Sequence, residues 1–342
     1  MLAILADDLT GALDTAAPFA ARGMHVEVAM SIDAIDEALQ ETPDVLSVDL
    51  RSREIGAEAA RRAVEAVLAA LPPETRLFKK VDSRLKGHIQ PELDAMSYRS
   101  ALVAPAIPTF GRIVKDGCVT GFGVDTPISV AEKLGPHAAR ATIPDTVSQD
   151  DMVLWLERAG EMGIDLLVGA RGLAEALADE MSGRAPPRAA EIPAGPGLFV
   201  VGSRDPITLE QIARLRSGGD LRYLPAPNGR LEAASADGSE LTLVQAVRGE
   251  AAVTSEEVSH ALAESVCPEL VEAASTLLLS GGATAEAVLA RMGIARFRLL
   301  GECLPGLGLA HAQGHCIIAK SGGFGQPDTL REIADRLRRK TG

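Results

Sequence analysis

The chain has 342 residues, 46% apolar but only 3% aromatic, and its 34 Lys and Arg against 47 Asp and Glu give a net charge of −13. That length predicts two domains, each able to bury its own core, and the acidity argues against nucleic acid or an anionic membrane surface as a partner. No apolar run approaches the ~20 residues needed to span a bilayer, and Cys118, Cys267, Cys303 and Cys316 are scattered without a C-x-x-C pair, so reduced thiols in a cytoplasmic protein are expected.

The first element sets the pattern. Leu2–Ala6 is a short apolar run suited to a strand buried on both faces. It stops at two adjacent carboxylates, Asp7 and Asp8, before a turn at Thr10-Gly11 and a helix from Ala12. Strand ends that lead into helices are where open α/β sheets bind ligands, and a buried carboxylate needs a partner. The pair therefore reads as a site for a polar, hydroxylated substrate; the plainer alternative is that Asp8 or Thr10 only caps the helix.

Strands are next expected at His25–Met30 and Asp44–Leu50 around a helix at Ile35–Leu39, followed by a strongly periodic helix over Ala57–Leu71. A strand at Arg76–Val81, a helix at Pro91–Met96 and a strand at Ala101–Ala104 continue the alternation, which implies a mainly parallel, doubly wound sheet. Between Ile107 and Pro127 the rhythm breaks at Gly111, Gly117, Gly121 and Gly123, the signature of a hairpin or flap. Helices at Asp151–Met162 and Leu173–Glu180 then flank a strand at Leu166–Gly169.

Pro and Gly crowd the stretch from Ser182 to Gly197, which reads as a linker. The second half restarts with a strand at Leu198–Val201, Gly202-Ser203 and a helix over Leu209–Leu215. Asn228–Ser239 has the composition of an exposed loop. Strands at Thr276–Leu279 and Cys316–Ala319 run into Ser280-Gly281-Gly282-Ala283-Thr284 and Ser321-Gly322-Gly323-Phe324-Gly325, each read as joining a strand to a helix. Glycine admits backbone N–H groups to phosphate oxygens, and a helix N-terminus favours anions. Two such turns in one half point to a nucleotide.

A second dense polar stretch, Lys79 to His88, follows a strand and carries Lys79, Lys80, Arg84 and Lys86 beside Asp82 and Ser83. It reads as an anion-binding surface. Arg51-Ser52-Arg53 adds donors after the third strand, where one bidentate arginine could hold a carboxylate. No Gly is followed by Lys, which removes a Walker A loop. Gly306-Leu307-Gly308 lacks the third glycine of a dinucleotide fingerprint and lies in a stretch that reads as irregular. His311 and His315 have i,i+4 spacing, but Gly314 between them and the lack of a nearby acid argue against zinc.

In order along the chain, Ala6–Asp14, Lys79–Gly87, Ala104–Arg112, Gly169–Ala174, Ser280–Ala285 and Lys320–Gly325 resemble the motifs of the four-carbon acid sugar kinase family. The resemblance implies an α/β fold of two domains, each with a mainly parallel sheet flanked by helices, and a ligand cleft between them. Residues 1–185 would bind the sugar acid and 186–342 the nucleotide. The activity implied is ATP-dependent phosphorylation of the terminal hydroxyl of a threonate, an erythronate or a 3-oxo-tetronate. Asp8 would accept the proton, with Asp7 and Asp82 in reserve. The substrate carboxylate would meet Arg51 or the cluster of Lys80, Ser83 and Arg84. Ser203, Gly281, Gly282, Ala283, Thr284, Gly322 and Gly323 would cradle ATP, and Mg²⁺ would arrive with it, its protein ligands being unknown. A homodimer is among the assemblies open to such a protein. The family pattern has Thr, Arg and Asn where this chain has Arg84, Lys86 and His88, and an acid where it has Ala283. The rival readings are a sugar-acid sensor that retains the fold and a nicotinamide-dependent sugar-acid dehydrogenase.

Overall fold

In the computed structural model, which describes residues 1–232, 235 and 238–338, the chain divides into two compact units, Met1–Arg188 and Ala189–Gly342. Of the loop expected over 228–239, residues 233, 234, 236 and 237 lie outside the described residues.

The first unit runs β1 (Leu2–Ala6), α1 (Leu9–Ala20), β2 (Val26–Ala29), α2 (Ile35–Gln40), β3 (Val45–Asp49), α3 (Ala57–Ala70), β4 (Arg76–Lys80), α4 (Ile89–Asp94) and β5 (Ala101–Ala104). There follow β6 (Arg112–Lys115), β7 (Cys118–Gly121), β8 (Ile128–Ser129), α5 (Val130–Leu134), β9 (Ala141–Thr142), α6 (Gln149–Glu161), β10 (Leu166–Gly169) and α7 (Arg171–Met181). Within this unit the parallel strands lie in the order β2-β3-β1-β4-β10-β5-β9. Every residue of β1 is buried, because helices cover both faces. The chain winds to one side of β1 as far as β2 and then returns past it to β4, so the winding direction reverses between β1 and β4. Right-handed crossovers then place α1 on one face and α2, α3 and α4 on the other. The break in rhythm becomes a three-stranded antiparallel sheet, β6-β7-β8. Its hairpin turns on Asp116-Gly117, both at positive φ (52° and 71°), as a two-residue turn of the primed type requires.

The second unit runs β11 (Gly197–Val201), α8 (Pro206–Ser217), β12 (Arg222–Pro227), β13 (Leu241–Val247), α9 (Ser255–Val266), α10 (Glu269–Glu272), β14 (Thr276–Ser280), α11 (Gly282–Arg291), β15 (Arg296–Leu304), β16 (Leu307–Ala312), β17 (His315–Lys320) and α12 (Thr329–Arg338). Its strand order is β12-β13-β11-β14-β17-β16-β15, and the direction of winding reverses between β11 and β14. Phe199, Val201, Ile212, Leu243, Leu278, Ile318 and Ile333 belong to one buried cluster that joins α8 and α12 to the sheet. Two sequence expectations change here. The stretch around Gly306 is not irregular: Pro305-Gly306 is a two-residue turn between antiparallel β15 and β16, with Gly306 at φ 76°. The loop after β17 does not lead straight into a helix, since α12 starts only at Thr329.

Candidate active site

In each unit the strands that flank the reversal carry the polar residues, the place where open α/β sheets hold ligands.

In the first unit Asp7 leaves β1 only 3% exposed. Arg53, from the loop after β3, grips it with both prongs: Nε donates to Oδ2 at 2.8 Å and Nη2 to Oδ1 at 3.0 Å. Arg53 Nη1 also pairs with Asp8. The loop is tied down by the Asp7 carbonyl, which accepts from the N–H groups of Ser52 and Arg53 at 3.0 and 3.2 Å. Burial pushes the Asp7 carboxyl up, but Lys80, the Arg53 hydrogen bonds and Lys79 outweigh it and hold it below the usual carboxylate range. Two adjacent carboxylates lead one to expect a raised pKa, and at Asp7 the shift runs the other way. For Arg53 burial acts downward, and its hydrogen bonds to Asp7 with the charges of Asp7, Asp8 and Asp82 raise it well above its ordinary value.

Asp8 does cap α1: Oδ1 accepts from Gly11 N at 2.7 Å, and Oδ2 accepts from Thr10 Oγ1 at 3.2 Å. Unlike Asp7 its side chain is 21% exposed, so it stays within reach of a ligand. The two lysines that end β4 point to opposite sides, as alternation requires. Lys79 Nζ is buried against Glu92 Oε2 (2.8 Å) and the Leu5 carbonyl (3.2 Å), and Ser52 Oγ donates to the same glutamate. Lys79 is thus a structural ion pair. Lys80 is 5% exposed and has no hydrogen-bond partner among the described residues. Its ammonium lies 3.0 Å from where a Cβ on Gly11 would fall, above the start of α1 and next to Asp8.

The loop after β4 folds on Asp82, whose Oδ1 accepts from Arg84 N at 2.9 Å. Gly87, at φ 90°, passes so close to Asp7 that a Cβ there would lie 2.9 Å from its Oδ2. Ser83 Oγ accepts from Arg112 Nη1 at 2.6 Å, which ties the loop to the hairpin. Arg51, at φ 50°, directs its N–H to Asp49 Oδ1 (3.0 Å) and holds Nε 3.9 Å from Asp49 Oδ2. Of the two arginines in that loop, Arg53 therefore closes on the aspartates. Asp7, Asp8, Lys80, Asp82, Ser83, Arg53 and Arg112 form one connected polar cluster.

In the second unit a cavity of about 280 Å³ is lined by Gly202, Ser203 and Arg204 after β11, Gly281 to Thr284 after β14, and Val253, Thr254, Ser255, Val258 and Ser259 at the start of α9. Five of the seven expected nucleotide residues thus share one wall. Gly281 takes φ 111°, and Gly282 has nothing within 4 Å of a Cβ position, so the start of α11 is open backbone. Gly202 is required by packing, since a Cβ there would meet Thr284 Oγ1 at 2.1 Å. Gly322 and Gly323 sit behind this wall rather than on it. A Cβ on Gly322 would meet Ser203 Oγ at 2.1 Å, and one on Gly323 would lie 3.1 Å from Asp205 Oδ2. Lys320, fully buried, holds their loop from below through Thr208 Oγ1 (3.0 Å) and the carbonyl of Ser321 (2.9 Å). Burial pulls its pKa down to about 8, with Asp205 acting upward. Arg204, exposed at the rim, is a cation whose place the sequence did not reveal.

Among the described residues no group of three or more His, Cys, Asp or Glu could hold a metal ion, and no helix is long and apolar enough to cross a membrane.

The chain is thus a two-unit α/β protein, with carboxylates and cations at the reversal point of one unit and an open glycine-lined helix start at that of the other. A sugar-binding N-terminal domain matches residues 2–133, and a nucleotide-binding C-terminal domain matches residues 198–330. A D-threonate kinase of Cupriavidus necator is 31% identical over 96% of this chain and 95% of its own length. One from Bordetella bronchiseptica is 27% identical, covering 99% and 98%. The chain belongs to the four-carbon acid sugar kinase family. A solved Haemophilus influenzae protein of the DUF1537 family shares the fold at a TM-score of 0.73 and 18% identity, over 99% of this chain and 100% of the other.

Proposed function

We propose that the protein transfers the terminal phosphoryl group of ATP to the terminal hydroxyl of a four-carbon sugar acid, with D-threonate, D-erythronate and 3-oxo-tetronate as the candidates. The observation that carries this reading is the division of labour: anion and hydroxyl ligands at the reversal point of the first unit, and open backbone amides beside a 280 Å³ cavity in the second. Phosphoryl transfer asks the protein mainly to position groups and neutralise charge, and these residues suit that task.

The acid's carboxylate would pair with Lys80 and Arg84, and Ser83 would hydrogen-bond a substrate hydroxyl. Asp8 would accept the proton of the attacking hydroxyl. Asp7 is a poorer base, because both of its oxygens receive Arg53 and its pKa is held low; it anchors Arg53 instead. Asp82, also close to Arg53, is the rival base. The N–H groups of Gly282, Ala283 and Thr284 at the start of α11, with Ser203 and Arg204, would hold the nucleotide phosphates, while Gly322 and Gly323 back Ser203. Mg²⁺ would come on the nucleotide phosphates and supply charge neutralisation there. The reading is tested by ADP release from ATP and Mg²⁺ with each of the three acids. Release that depends on one of them supports it. An enzyme inert to all three, or one that oxidises them with a nicotinamide cofactor, removes it.

A further inference from the structure

Arg112 does more than tie the loop after β4 to the hairpin through Ser83. It starts β6 opposite Gly121, and its guanidinium sits half-buried at the open end of the hairpin, away from the Asp116-Gly117 turn. Nε and Nη2 both donate to the Phe122 carbonyl (3.0 and 2.9 Å), and one N–H of Nη1 donates to Ser83 Oγ (2.6 Å). Of the five N–H groups of an arginine, two remain without a partner among the described residues. Arg84 lies near enough to press on Arg112, and among the described residues Asp82 is the carboxylate that opposes it there. Glycines let the backbone close on this side chain. A Cβ on Gly123 would lie 3.1 Å from Arg112 Nη2, and one on Gly121 would lie 2.0 Å from the Gly111 carbonyl. A hairpin whose open end wraps a cation and leaves two donors beside a second arginine is short of one anion.

We propose that Arg112 is a specificity residue that receives the carboxylate of the sugar acid in its free N–H groups, jointly with Arg84, so that the hairpin itself reads the acid. This rests on the sugar-acid assignment of the first unit. It adds that the loop carrying Ser83 and the hairpin carrying Phe122 are joined through the substrate's charge. A neutral four-carbon polyol would lack the group that Arg112 needs.

The test is calorimetric binding of D-threonate, D-erythronate and 3-oxo-tetronate, without nucleotide, to the full-length wild type, Arg112→Gln and Arg112→Lys, beside the uncharged polyols threitol and erythritol. A charge-assisted arginine–carboxylate contact is worth about 10- to 100-fold in affinity. Arg112→Gln should lose that much for the acid that binds and change polyol binding by less than about twofold. Arg112→Lys, which keeps the charge but not the fork, should fall in between. Equal losses for acid and polyol would make Arg112 a mere clasp of the hairpin and overturn the proposal, as would unchanged acid affinity in both variants. Failure of all three acids to bind the wild type would also overturn it. A wild type that binds acid through Arg112 but never releases ADP would instead sink the kinase reading and leave this one standing.

Discussion

Replacing Arg53 by Met tests whether the Asp7–Asp8–Arg53 knot is an energetic unit. Removing one partner of a buried ion pair costs about 3–5 kcal/mol, because the other is left uncompensated. Asp7 keeps Lys80 and Lys79 nearby, and the Arg53 side chain is 26% exposed, so the lower end applies: about 3 kcal/mol. Combined with Asp7→Asn in a double-mutant cycle, the coupling should be about 2 kcal/mol, against less than about 1 for an exposed pair. The chain's single tryptophan, Trp155, lies in α6 of the first unit and reports its unfolding by urea. The pH dependence gives an independent check. The folded pKa of Asp7 is lowered, so its contribution is fully present above the unfolded value near 3.9 and is lost as pH falls through the folded one. Without Arg53 that folded value rises, and acid destabilisation should begin at higher pH. A loss below about 1 kcal/mol with no coupling would mean that Arg53 and Asp7 form no energetic unit, because a pair worth so little behaves as a surface contact.

Gly202→Ala should weaken ATP binding about tenfold or more, since its Cβ must displace Thr284 at the cavity wall, whereas Gly282→Ala, with open space at its Cβ, should stay within about threefold. Calorimetry giving the reverse order would remove this wall from the nucleotide site. Lys320 titrates near 8 in the folded chain and near 10.4 unfolded, so the unfolded state binds more protons between those values and its contribution to stability rises with pH across that window. The melting temperature of the wild type relative to Lys320→Met should therefore climb from pH 8 to 10; a flat difference would mean the amine is not perturbed. Asp8→Asn should lower kcat about 10²-fold or more with little change in KM. Near-normal kcat there, with a collapse in Asp82→Asn, would move the base to the loop after β4.

The strand ends were legible in the sequence because dense polarity directly after a short apolar run has few structural explanations. Asp7-Asp8 and the stretch from Lys79 stood out for that reason, and both flank the reversal between β1 and β4. Which lysine faces the aspartates was decided by strand alternation, which turns Lys79 towards Glu92 and leaves Lys80 beside Asp7 with no hydrogen-bond partner among the described residues. Choosing Arg53 over Arg51 was out of reach of spacing, because a positive φ at Arg51 sets which side chain turns inward. Arg112 lies 29 residues from Ser83, and only the folded hairpin brings them together. The prolines of β12 at 225 and 227 hid that strand, and the glycine of the β15–β16 turn passed for irregular chain. The glycines after β14 and β17 looked equivalent in sequence. One set opens a helix at a cavity, while the other supports Ser203 from behind, a distinction made by where α11 and α12 begin.

Phosphoryl transfer to a terminal hydroxyl leaves a distinct mark in the ³¹P spectrum of a reaction with ATP, Mg²⁺ and the acid that releases ADP. A new phosphomonoester signal split by the two protons of a terminal CH₂ group should grow in step with ADP. A spectrum that shows only ADP and inorganic phosphate, or an ester coupled to a single carbinol proton, would contradict it.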